Sequence, residues 1–373
     1  YFYKFEIMRI YKDVNVFEEG LKRTRWLFDE FDEIVVSFSG GKDSVIVFEL
    51  ALIVARERNR LPLKVMFLDQ EAELRATIDI VTKVMTMEDV EPLWFQMPMK
   101  IFNATSSADP WIFCWDETKE DVWLRPQVSY SIKENVYGTD RFKAMFTAIA
   151  KKDFPPKTAN IGGVRGEESP ARLLSLTGAL TYGGETWGKI LDLENDKYTF
   201  YPIYDWSYTD VWKAIHDNNW DYNVVYDQQF SWGVPVLNMR VSSLCHETSV
   251  ANLKYLQEIE KDTWAKLTQR LKGIDTEGKF GLELGCPKVL PYMFKTWNEY
   301  RDYLADNLLP EGEGKTKIVK RFDRWDGWFG HLKGYYRVCI NTVLKNDYHF
   351  TLLDNYRVAN NQSKMDVTED MYV

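Results

Sequence analysis

The chain has 373 residues, 45% of them hydrophobic and 15% aromatic with 14 Trp, enough apolar material for one large domain or two. Its formal net charge of −9 argues against broad, charge-driven binding to nucleic acid. No apolar run reaches transmembrane length and no signal peptide is visible; the four cysteines form no CxxC pair, so a reducing cytosol is expected and a zinc ribbon or iron–sulfur cluster is not.

Residues 9–30 read as an amphipathic helix, with Val16, Leu21, Trp26 and Leu27 among its apolar positions. Residues 34–38 are short and rich in β-branched side chains, as in a buried strand. Residues 45–54 are apolar nearly all round, as in a buried helix. Between them lies Ser39-Gly40-Gly41-Lys42-Asp43-Ser44. Strand, glycine-rich loop and helix, in that order, build a phosphate cradle. The glycines let N–H groups converge, the helix start adds unpaired donors and a positive dipole end, and Lys42 adds a point charge. The ordinary P-loop needs Ser or Thr after its lysine and an earlier glycine; this chain has Asp43 and Val36 there, so the cradle is of another kind. Asp43 either caps the helix or holds Mg²⁺ beside the phosphates.

Residues 64–68 form a second strand, ending at Asp69-Gln70-Glu71. Ligand groups gather at the carboxyl ends of parallel strands, so Asp69 either meets a ligand or caps a helix starting near Glu71. Strands and helices alternate to about residue 102, which implies a parallel sheet. Residues 103–138 break the pattern with Trp111, Phe113, Trp115 and Trp123 beside Asp109, Asp116 and Glu117. This insert is either a lid or substrate wall, or a loop folded down by its own aromatics. The α/β pattern resumes near Arg141 and runs to about His216.

Asn160-Ile161-Gly162-Gly163-Val164-Arg165-Gly166-Glu167-Glu168-Ser169-Pro170-Ala171-Arg172 places two arginines around a Ser-Pro helix start. Their forks suit phosphate or sulfate; the alternative is a surface turn with paired charges. In residues 201–212, Trp206 and Trp212 are expected in the core, and Ser207 or Thr209 as a helix cap. In Cys245-His246-Glu247, Cys245 is either a thiolate beside a histidine or a small buried residue at a helix start.

Beyond Cys245 the chain reads as helical. Leu253, Leu256 and Ile259 share a face, as do Leu267 and Leu271. Residues 281–291 form a turn-rich connector, Trp297, Tyr300, Tyr303 and Leu304 mark another helix, and residues 310–314 break it. Lys315, Lys317, Lys320, Arg321 and Arg324 cluster near Trp325 and Trp328, either touching a phosphate backbone or forming a solvated helix face. The expected organisation is an N-terminal helix (1–30), a nucleotide-binding domain (31–245, with the insert at 103–138) and a helical region (246–373).

The SGGKDS signature resembles the pyrophosphate loop of the adenine-nucleotide alpha-hydrolase-like superfamily, which includes N-type ATP pyrophosphatases and phosphoadenylylsulfate (PAPS) reductases. Residues 160–172 resemble the GxRxxES…R stretch of the PAPS reductases, and residues 201–212 are similar to another segment of that family. The Glu-Cys-Gly-Leu-His motif that carries the reductase thiolate is missing from this sequence. Trp220-Asp221-Tyr222-Asn223, Tyr226-Asp227, Met239-Arg240-Val241-Ser242-Ser243 and Trp264 resemble an offshoot containing the immunoglobulin-binding regulator A protein, found in bacteria and prophages.

This resemblance implies an α/β fold: a parallel twisted sheet with helices on both faces, followed by a mainly helical C-terminal region. It implies an adenine nucleotide, ATP or PAPS, with Mg²⁺ on Asp43. Lys42, Asp43 and Arg165 are expected to be catalytic. Ser37, Ser39, Gly40, Gly41, Lys42, Asp43, Ser44, Asp69, Gly163, Arg165, Glu168 and Arg172 are expected to bind the nucleotide. The reaction expected is α–β cleavage with adenylylation of an acceptor; the alternatives are sulfonucleotide chemistry through Cys245, and a nucleotide-sensing subunit acting with a ParB/sulfiredoxin-like partner on DNA.

Overall fold

The computed structural model describes residues 13–105, 111–177, 181–246, 250–271, 274, 285–345, 347–348 and 350–359. Helix α1 spans Val16–Glu30, with the Asn15 side chain accepting from the Phe17 N–H as its cap. It therefore begins later than expected; residues 9–12 lie outside the described residues. Its buried stripe, Leu21, Leu27 and Phe28, joins the main core.

The chain then alternates as the apolar pattern requires: β1 (Glu33–Ser37), α2 (Lys42–Glu57), β2 (Leu63–Leu68), α3 (Arg75–Met85) and β3 (Val90–Phe95). After β4 (Met99–Phe102) and β5 (Trp111–Cys114), which form a small sheet of their own, come α4 (Phe142–Asp153), β6 (Thr158–Ile161) and α5 (Pro170–Thr177). The hairpin β7 (Gly188–Asp192) and β8 (Lys197–Phe200) precedes α6 (Tyr208–Asn218) and α7 (Val225–Ser231). The large sheet has six strands in the order β3-β2-β1-β6-β8-β7. It is not wholly parallel: β7 runs antiparallel to β8. Only a short turn, with Asp196 at φ 55°, joins the two strands, and so short a link can connect only antiparallel neighbours.

Both strands flanking β1 are parallel to it, with Val36 opposite Val65 on β2 and Ile161 on β6. From β1 the sheet grows one way through β2 and β3, and the other way through β6 and β8. The strand order therefore reverses between β1 and β6, and the crevice beyond their carboxyl ends is where open α/β sheets take ligands.

The chain divides into two units, and not by a single cut at 245/246. The first takes Tyr1–Ile101, Phe113–Ser243 and Glu258–Lys266; the second takes Phe102–Ile112, Leu244–Gln257 and Leu267–Val373. Part of the aromatic insert thus belongs with the C-terminal region. That region is mainly helical: after α8 (Val250–Ile259) and α9 (Lys261–Arg270) come α10 (Trp297–Leu308), α11 (Glu313–Phe329), α12 (Tyr335–Leu344) and α13 (Thr351–Ala359). The second unit has its own core, built on Ile318, Phe322, Trp325, Phe329, Tyr335 and Ile340. The connector expected at 281–291 lies partly outside the described residues. Among the described residues no helix is long and apolar enough to cross a membrane.

Candidate nucleotide site

The loop after β1 turns through Gly40, whose φ of 72° suits glycine, into α2. Gly41 is the N-cap, and no side chain caps the helix. The N–H groups of the first helical turn therefore lack the usual side-chain acceptor. Two serines hold the loop shut on itself. Ser44 Oγ donates to the Gly41 carbonyl at 2.8 Å and accepts from Ser39 N and Ser39 Oγ, each at 3.2 Å. A hydroxyl has one proton and two lone pairs, so this hydroxyl is saturated. Ser44 is thus a loop staple, with its hydroxyl taken up within the loop. Ser37 Oγ donates to Asn160 Oδ1 at 2.9 Å, joining β1 to β6 at the same end of the sheet.

The loop after β6 closes onto this turn. Arg165 is 3% exposed, and its Nε donates to Asp43 Oδ1 at 2.5 Å. Its Nη1 reaches Glu167 Oε2 at 3.1 Å and the Trp206 carbonyl at 3.3 Å. Burial opposes its charge, but Asp43, with Glu168 and Glu167 behind it, more than offsets this and the pKa is raised. The other Asp43 oxygen lies 3.1 Å from Lys42 Nζ. Asp43 thus does not cap the helix, and each of its carboxylate oxygens faces a cation. Glu167 also accepts from Tyr208 N at 2.7 Å, and Glu168 pairs with Arg172 on α5 and accepts from Arg165 N. These carboxylates do not fit a resident Mg²⁺: each is matched to a cation or an N–H. Among the described residues no group of three or more His, Cys, Asp or Glu side chains could hold a metal ion. Gly163 lets the two loops meet, because a Cβ there would lie 2.6 Å from the Asp43 carbonyl carbon and 2.7 Å from Ser44 N.

A third segment, absent from the expected site, completes the enclosure. Asn223, fully buried before α7, donates from Nδ2 to the Gly40 carbonyl at 3.2 Å and to Thr77 Oγ1 at 3.0 Å. The Tyr226 hydroxyl accepts from Lys42 N at 3.1 Å. Val241 sits 3.9 Å from where a Cβ of Gly41 would be, and the exposed Arg240 reaches the Glu168 carbonyl at 3.5 Å. The signal in the sequence was the Asn-x-x-Tyr spacing within the aromatic run, but nothing local says that it turns toward residue 42.

Residues 33–232, over half of the chain, match the family model for the phosphoadenosine phosphosulfate reductase domain. The chain belongs to this family. Residues 233–371 match a second model, a domain of unknown function (DUF3440). The chain is 27% identical over 333 residues to the uncharacterized protein YbdN of Escherichia coli (strain K12), covering 82% of this chain and 78% of that one. Among solved structures it is similar to a PAPS reductase from Candida auris in a phosphate complex, with a TM-score of 0.31 at 12% identity, over 58% of this chain and 85% of that one. It is also similar to the Candida glabrata FMN adenylyltransferase in complex with FMN and the ATP analogue AMPCPP, with a TM-score of 0.36 at 13% identity, over 64% and 66% of the two chains. The family assignment rests on the domain match.

Other expected residues of this PAPS reductase-domain protein stand elsewhere. Asp69 is fully buried. It accepts from Glu71 N, Trp94 Nε1 and Gln96 Nε2, each at 2.9 Å, and pairs with Arg125. It neither caps a helix, since α3 starts at Arg75, nor presents an edge to a ligand. It is a hub that pins part of the insert: Trp115 is fully buried and donates from Nε1 to the Asp69 carbonyl at 2.8 Å. Ser207 caps α6 as expected, and Trp206 is 1% exposed. Trp212 is only half-buried, edge-on to Tyr222 and Tyr226.

Cys245 is fully buried and its carbonyl accepts from Ala104 N at 2.8 Å, which suits the small buried residue better than an attacking thiolate. Cys339 is also fully buried, and burial pushes its thiol up to about 12. In the basic cluster, Lys315 pairs with Glu311, Lys317 with Glu313, and Arg321 with Asp354 while lying over the Trp325 and Phe350 rings. The cluster is thus largely matched by its own carboxylates, and Trp325 is core.

Proposed function

We propose that the β1–α2 loop binds the phosphate chain of an adenine nucleotide, and that the protein cleaves ATP between its α- and β-phosphates, leaving the adenylyl group on an acceptor. The observation that carries this reading is the 2.5 Å contact between Arg165 and Asp43. It brings a guanidinium from the β6 loop onto the first turn of α2, beside Lys42, at the point where the strand order reverses. Lys42, Asp43 and Arg165 together carry one net positive charge at the positive end of a helix dipole. In the step, a lone pair of the acceptor forms a bond to the α-phosphorus. The bond from that phosphorus to the bridging oxygen breaks, and pyrophosphate leaves with the electron pair. Fixed N–H groups and Lys42 stabilise the charge that grows on the leaving oxygen.

A second reading takes PAPS as the nucleotide. The matched carboxylates around the loop favour it, because they offer little to a metal that accompanies ATP. Its thiol step would need Cys245, which is fully buried. The sensing reading, with a ParB/sulfiredoxin-like partner, rests on the resemblance to the regulator A offshoot and gains nothing from the basic cluster.

The test is calorimetric titration with ATP, AMP and PAPS, with and without Mg²⁺, on the wild type and Lys42→Ala. ATP binding that is lost in the variant, with pyrophosphate released on turnover, is the expected result. PAPS binding without ATP binding would transfer the conclusion to the second reading. No binding of any nucleotide would remove both.

A further inference from the structure

The N–H of Lys42 is the first donor of α2, one of those a phosphate on this loop would take. It already has a partner in Tyr226 Oη, from 184 residues further along the chain. Tyr226 is 3% exposed, its ring edge-on to Trp212 at 5.2 Å, with Lys42 Nζ 5.4 Å from its centre. Its hydroxyl lies 3.6 Å from where a Cβ on Gly41 would stand, an ordinary contact distance, so it packs against the loop itself. A phenol can both accept and donate. Among the described residues this hydroxyl accepts one hydrogen bond and donates none. Burial, and then the Asp43 charge, raise its pKa, so the proton stays on. A buried O–H without an acceptor is costly, and here it stands against the loop that the proposed function assigns to an anion.

Resting on that reading of the loop, we propose that Tyr226 is a phosphate-binding residue. Its hydroxyl accepts from the Lys42 N–H and donates its own proton to an oxygen of the phosphate chain. The first N–H of α2 thus acts on the ligand through the phenol. Asn223 is the positioning residue of the same segment: it holds the Gly40 carbonyl and ties it to Thr77 on α3.

The probe is inorganic pyrophosphate, titrated calorimetrically into the wild type, Tyr226→Phe and Lys42→Ala. A hydrogen bond to a charged group sets the expected loss in Tyr226→Phe at roughly tenfold to a hundredfold in affinity. Unchanged affinity overturns the proposal. So does tighter binding, which would mean that the hydroxyl merely plugs the Lys42 N–H. Wild type that binds no pyrophosphate, or binds it regardless of Lys42, overturns the reading of the loop itself. Fluorotyrosine at position 226 keeps the ring and sharpens the O–H as a donor, so it must bind pyrophosphate more tightly than the wild type. Weaker binding there refutes the donor role even where Tyr226→Phe fails to fold.

Discussion

Gly162 and Gly163 are adjacent, chemically identical and predicted to respond in opposite ways to alanine. Neither has a positive φ, so backbone strain does not separate them. A Cβ at Gly162 would meet Tyr201 Cε1 at 3.5 Å, an ordinary contact. There the substitution only narrows the unfolded ensemble, which stabilises by about 0.5 kcal/mol. A Cβ at Gly163 would meet Asp43 C at 2.6 Å, Asp43 O at 2.7 Å and Ser44 N at 2.7 Å. The first contact is roughly 0.9 Å inside the ~3.5 Å optimum for carbon pairs. Those atoms are helix backbone and cannot swing aside, so the β6 loop must lift. Overpacking of this kind costs about 1–3 kcal/mol, which outweighs the same entropic gain. The two variants should therefore differ by about 2 kcal/mol in urea unfolding, read as a shift in midpoint at unchanged slope. Lifting the loop also draws Arg165 from Asp43, so Gly163→Ala should bind pyrophosphate more weakly than Gly162→Ala. If Gly163→Ala matches Gly162→Ala in both stability and affinity, the contact between the loops does not shape the site.

Asp43→Ala leaves Arg165, whose side chain is 4% exposed, with Glu167 as its remaining carboxylate partner. A buried cation stripped of a partner destabilises by about 3 kcal/mol, so the thermal midpoint should fall by several degrees; an unchanged midpoint would refute the pairing. Glu73 has its pKa raised to about 8, first by burial and then by the Asp69 charge. The unfolded chain releases that proton near pH 4.5, whereas the folded chain keeps it to about 8. Between those limits the folded state binds more protons, so stability should fall as pH rises, at about 1 kcal/mol per pH unit. Glu73→Gln should flatten that part of the pH–stability curve, and a slope that persists in the variant would refute the assignment.

The fold class and the strand–turn–helix around Gly40 were legible because their causes are local. A β-branched run, two glycines, a lysine and an apolar helix within about 25 residues dictate strand, tight turn and buried helix whatever surrounds them. The Ser207 cap and the apolar stripe of α1 follow from the same short-range rules. The antiparallel edge strand β7 escaped because its five residues, Gly188–Asp192, resemble a continuation of the α/β alternation. Only the turn at Leu193–Asp196 distinguishes it.

Residue type and order along the chain determined a glycine-rich turn between strand and buried helix on an α/β sheet of the PAPS reductase-domain family. The tertiary structure alone decided what each polar group in it faces. Asp43 was free, by sequence, to cap or to bind metal, and the return of β6 beside β1 gave it Arg165. Asp69 sits at a strand end where ligands gather, and the insert buried it under Trp115 and Arg125. Asn223 and Tyr226 became part of the loop across more than 180 residues of chain. The physical reason is one of range. Propensity and backbone conformation act over a few residues, whereas a buried charge or hydroxyl takes its partner from whatever strand order brings within about 3 Å.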